Sequence, residues 1–149
     1  VTKVLLSLHV LAAVIAIGPV AVAAGMFPPA LRRAADSTES TANLYVLHRI
    51  CRVYAAVGLA VPIFGLATGA ALGVLGTGWL ISSIALTAAA AAILAAMILP
   101  DQRAALTSLA PGRIDATAAR LAMSTGIFNL LWATVAVLMV VRPGSTTGA

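Results

Sequence analysis

Between Arg52 and Asp101 the chain carries no charged residue. A stretch of that length far exceeds the roughly 20 apolar residues a helix needs to cross the hydrocarbon core of a bilayer. Gly76-Thr77-Gly78 inside it is a turn signal. The stretch therefore reads as two membrane-spanning helices, about 53–75 and 79–99, joined by a tight hairpin. Two more apolar runs, about 4–26 and 121–141, flank it. Of the 149 residues 62% are hydrophobic and only 9% charged, whereas soluble domains carry about a quarter. The expected fold is all-α, a four-transmembrane-helix up-down bundle in which residues 1–149 form a single integral membrane domain.

The net charge of +5 would suit a nucleic-acid binder, but the arrangement of the basic residues does not. Lys3, Arg32, Arg33, Arg49, Arg52, Arg103, Arg113, Arg120 and Arg142 lie at segment ends and in connections. That is how a membrane protein sets its orientation and meets anionic headgroups, so the expected partner is the lipid bilayer and not nucleic acid. Arg32, Arg33, Arg49 and Arg52 fall in the first connection, which spans residues 28–52 with a polar centre at Asp36-Ser37-Thr38-Glu39-Ser40-Thr41 and an amphipathic lead-in from about Ala42. Arg103, Arg113 and Arg120 fall in the third. By the positive-inside rule both connections are cytoplasmic and both termini face outward. The Ala-, Val-, Gly- and Arg-rich usage suggests a GC-rich, actinobacterial-type genome and hence a bacterial plasma membrane. Lys3, an apolar run and the small triplet Ala21-Val22-Ala23 resemble a secretory signal, but the apolar run continues past that point. The first segment is therefore expected to be a retained helix.

Membrane helices associate through close backbone approach and polar contacts. On segment two, Cys51, Ala55, Gly58, Pro62, Gly65, Gly69 and Gly73 share one helical face at 100° per residue, which predicts a groove for a neighbouring helix or for a second copy of the chain. On segment four, Ala118, Ala122, Thr125, Gly126, Asn129, Trp132, Ala133 and Ala136 share a side. A mid-span amide facing lipid is costly, so Asn129 is expected to face the interior and bond to Thr68, Ser82, Ser83 or Thr87. Pro19 and Pro62 free the carbonyls of Ile15 and Gly58, which predicts kinks.

His9 is the main candidate for chemistry, because it is the only ionisable side chain within the first span and imidazole is a common haem and metal ligand. The plainer alternative is a neutral histidine bonded to a neighbouring hydroxyl or a water. His48 and Cys51 share a face at i, i+3, and with Met26, Met97 and Met123 at the same membrane depth they compose a soft-metal set suited to Cu(I). Methionine is equally an ordinary apolar filler. By helix rise His9 and His48 lie more than about 20 Å apart, so one haem cannot take both. Met139 is at a depth to be the second axial ligand beside His9. Asp36, Glu39, Asp101 and Asp115 lie outside the spans, and there is no Walker loop, HExxH or nucleophile elbow. An enzyme built from this chain would need a cofactor, and enzymatic activity is not the leading expectation.

Leu8-His9-Val10-Leu11, Leu47-His48-Arg49-Ile50 with Tyr54 before a Gly-rich span, and the close Val140-Val141-Arg142-Pro143 together resemble an uncharacterised family of bacterial four-helix integral membrane proteins. More distantly they resemble the copper-resistance D domain and the HemJ-type membrane protoporphyrinogen oxidases. The latter resemblance implies haem b at His9, although the third segment has no histidine or basic residue; the former implies metal handling. Three readings follow. The first is a self-associating protein or accessory subunit of a larger membrane complex, assembled through the glycine face with Asn129. The second is a haem- or redox-associated protein using His9, and the third a copper-handling protein using His48 and Cys51.

Overall fold

The computed structural model describes residues 1–34, 38–108 and 110–144. Helices α1 (Thr2–Ala34), α2 (Thr38–Gly58), α3 (Ala60–Ala71), α4 (Gly78–Ile93), α5 (Leu99–Ser108) and α6 (Ile114–Val141) follow one another, with a π-helical turn at Leu94–Ile98 and a 3₁₀ turn at Pro111–Arg113. Among the described residues there is no strand. Joined where they run on, these elements make four helices long and apolar enough to cross a membrane: Thr2–Ala34, Thr41–Ala71, Gly78–Thr107 and Pro111–Val141.

The helices outrun the apolar runs that announce them. α1 passes through Pro19, Pro28 and Pro29 without a break, and α2 already begins at Thr38. Most of the expected first connection is thus helical, while Asp36 and Ser37 lie outside the described residues. The second helix breaks at Leu59, between α2 and α3. Pro62 has no N–H to offer the Gly58 carbonyl, and the Leu59 N–H turns back to Ala56 (3.2 Å). At its far end α3 stops at Ala71, short of the expected residue 75, because Gly73 adopts φ +69°. The Val74 N–H reaches the Gly69 carbonyl (3.0 Å) and the Gly73 N–H that of Ala70 (3.1 Å), the paired bonds of a Schellman terminus. Gly73 therefore belongs to the turn and not to the packing face where its spacing put it.

α1 packs along α2, α3 and α6; α4 packs along α6, and α5 meets α2, whereas α3 and α4 barely touch. One end of the molecule is filled: Phe27 and Leu31, Leu44 and Cys51, Leu94 and Ile98, and Leu121 and Phe128 form a buried cluster to which α3 contributes nothing. The π turn matters here. It adds a residue to the register so that Leu94, Ile98 and Gln102 all stay inward, the last two fully buried. Asp101 pairs with Arg120, and Arg32 with Asp115 at 3.4 Å, tying the helix ends at this side of the molecule.

The burial of α6 differs from expectation. Its inward side carries Ala118, Leu121, Ser124, Thr125, Phe128 and Val135, whereas Ala122, Gly126, Asn129, Ala133 and Ala136 are exposed. The large side chains set the packing face. Two of the four expected partners of Asn129 are also taken, since Thr68 bonds the Phe64 carbonyl (2.7 Å) and Ser83 that of Trp79 (2.8 Å), each on its own helix. Asn129 has no hydrogen-bond partner among the described residues.

Candidate functional site

The weak contact between α3 and α4 leaves a cavity of about 630 Å³ between α1, α3, α4 and α6. Its wall is almost entirely aliphatic, with His9, Thr87 and Trp132 the lining residues that carry side-chain polar atoms. His9 is only 8% exposed. Its Nδ1 lies 2.9 Å from the Val61 carbonyl on α3. A carbonyl can only accept, so Nδ1 carries the proton, and in the neutral ring Nε2 keeps its lone pair. Nε2 has no hydrogen-bond partner among the described residues. The bond at Nδ1 fixes the tautomer and the orientation of the ring.

Gly65 makes that seat possible. A Cβ at this position would fall 2.9 Å from His9 Cε1 and 3.1 Å from Nδ1. The glycine face of the second helix is thus used inside the chain: Gly58 faces Ala16 (3.9 Å), Gly65 faces the imidazole, and Gly69 faces the tips of Leu80 and Leu75 (3.0 and 3.2 Å). Met139 lines the same cavity as His9, so the pair expected from depth alone shares one space. Two indole nitrogens, Trp132 Nε1 on a cavity-lining residue and Trp79 Nε1 close by in sequence to the lining Leu80, are buried without a partner.

Beyond Met139 the chain ends its last helix on Arg142, which takes the left-handed conformation (φ 45°, ψ 58°) that glycine usually supplies. Its N–H bonds the Leu138 carbonyl (2.9 Å) and its Nε the Met139 carbonyl (3.2 Å), and the guanidinium lies over the Trp79 ring at 5.7 Å. Holding a non-glycine residue there costs about 1–3 kcal/mol, offset in part by the stacking of the cation on the indole.

His48 and Cys51 come together at the opposite, filled end, but through a residue that sequence reasoning passed over. Gln102, the only glutamine in the chain, accepts from His48 Nδ1 through Oε1 (3.0 Å) and donates through Nε2 to Cys51 Sγ (3.5 Å). All three side chains are buried. The signal that could have found it is an amide two residues after Pro100, at the edge of an otherwise uncharged span. Met26, Met97 and Met123 do not join them: each is exposed, at 54%, 38% and 58%. Among the described residues no group of three His, Cys, Asp or Glu could hold a metal ion.

No family model, no curated protein and no solved structure matches the chain.

Proposed function

We propose that this is a multi-pass integral membrane protein of a bacterial plasma membrane that binds haem b in the cavity beside His9. In this reading the four long helices form an up-down bundle. Among the described residues, Arg33, Arg49, Arg52, Arg103 and Arg113 are at one side without a carboxylate partner, which supports placing that side in the cytoplasm and both termini outside. The observation that carries the haem reading is the Val61 carbonyl holding His9 Nδ1–H while Nε2 remains free on a large apolar cavity that Met139 also lines. His9 and Met139 would hold the haem, and a histidine–methionine donor pair raises its reduction potential. The bound group would supply one-electron chemistry; the chain would orient it and exclude water. Among the described residues no carboxylate lines the cavity, so an acid–base enzyme acting through this chain's own residues is not supported.

The test is reconstitution of the purified chain with haem in detergent. Wild type should show a Soret band shifted from that of free haem, His9→Ala should lose it, and Met139→Leu should keep it with an altered spin state. Failure of the wild-type protein to shift the band would sink the reading.

A second reading, self-association or membership of a larger membrane complex, is supported by Asn129. Its amide is exposed in the middle of a long apolar helix, beside Ala122, Gly126 and Ala133. A lone amide against lipid is costly, and a neighbouring helix would relieve it.

A further inference from the structure

We infer that Arg142 is the anchor for the acidic groups of the cavity's ligand, so that haem enters with its propionates at the end of α6. The inference rests on the haem reading given above and adds the orientation of the ligand and the residue that selects it.

Haem is an apolar disc with two carboxylates on one edge. The disc suits the aliphatic wall beside His9, but among the described residues no lysine or arginine lines the cavity to neutralise the carboxylates, and burying them unpaired would be prohibitive. They must emerge where a fixed cation waits. Arg142 is such a cation. It does not itself line the cavity, but its Nε bonds the backbone carbonyl of the lining Met139, and its guanidinium lies over Trp79, the neighbour of the lining Leu80.

Its guanidinium is held rather than free. The stack on Trp79 and the bond from Nε to Met139 orient the plane, while the two Nη groups make no bond among the described residues. No carboxylate pairs with Arg142 among them either. A planar donor fork oriented in advance, with its outer nitrogens unused, is the arrangement that receives a carboxylate in a bidentate pair. The backbone supports the same conclusion. Glycine would terminate α6 without strain, and an arginine held left-handed there keeps a side chain whose contacts all lie towards Trp79 and Met139.

The test compares haem with its dimethyl ester, in which both carboxylates are blocked, on the full chain in detergent by Soret titration. Wild type should bind haem about tenfold or more tightly than the ester, the size expected for a charge-assisted pair. Arg142→Gln should lower haem affinity to the level of the ester and leave ester affinity unchanged, which also shows that the variant is folded. Arg142→Lys should recover part of the preference. Equal wild-type affinity for the two compounds would overturn the anchor while leaving the His9 reading intact, as would a preference for haem that survives in Arg142→Gln. Binding of neither compound by wild type would overturn both.

Discussion

His9 shows how one methyl group can test a site. Its ring lies against the bare backbone of Gly65, and it cannot swing away without giving up the 2.9 Å bond to Val61. Gly65→Ala should therefore displace the imidazole and lower haem affinity by about tenfold, roughly the value of one buried hydrogen bond. Gly58→Ala should be silent, because its new Cβ would make an ordinary 3.9 Å contact with Ala16. Gly69→Ala should fall between, since the atoms it meets are the rotatable tips of Leu80 and Leu75. Haem titration and thermal unfolding of the three variants in detergent would check this order, and a Gly65→Ala protein that titrates like wild type would contradict the seating of His9. The stripe itself was legible, because 3.6-residue periodicity brings these glycines to one face. What they face was not: His9 and Val61 are far apart in the chain, and no local pattern reports a long-range contact. Gly73 was misassigned because the same spacing continues into a turn whose left-handed φ is invisible to periodicity.

At the scale of the element, the third long helix depends on the irregularity at Leu94–Ile98. An unbroken α-helix would drift about 40° for each four-residue step, carrying Gln102 away from α2; the π turn cancels the drift. Gln102→Ala would leave His48 Nδ1 and the Cys51 thiol without their partner. It should destabilise the protein by about 1 kcal/mol, the typical worth of an interhelical side-chain bond in a membrane protein. Thr107→Val, which removes an exposed hydroxyl bonded only to its own helix, should change stability far less; thermal unfolding of the two variants side by side separates the cases. Hydropathy revealed the four apolar cores, since length and composition alone decide which segments could span. It could not reveal their ends. α1 continues through Pro28-Pro29 and α2 starts among polar residues at Thr38, because helix there is sustained by packing of Phe27, Leu31 and Leu44 and not by apolar content. The face of α6 is only partly legible for a related reason: small size alone does not mark the interior, where Leu121 and Phe128 pack with Ala118, Ser124 and Thr125 while Ala122, Gly126, Ala133 and Ala136 are left exposed.

At the scale of the whole molecule the two kinds of small-residue surface have separate uses, and this decides where a second copy would dock. The glycines of the second helix are occupied within the chain by Ala16, His9, Leu75 and Leu80, so that face is not free for another subunit. On α6, a Cβ at Gly126 would meet nothing within 4 Å, and Asn129 lies exposed one turn away on the same side. An amide both donates and accepts, so two copies meeting along this face could satisfy each other's Asn129 across a two-fold axis, and small neighbours would let the backbones approach. Asn129→Leu should then weaken the dimer about fivefold, equivalent to about 1 kcal/mol. Asn129→Gln should retain part of the association. Sedimentation of the chain across a range of protein-to-detergent ratios reads the dissociation constant directly. A dimer indifferent to Asn129→Leu but broken by Gly65→Leu would place the interface on the second helix instead, and would mean that His9 is seated against Gly65 only in the isolated chain.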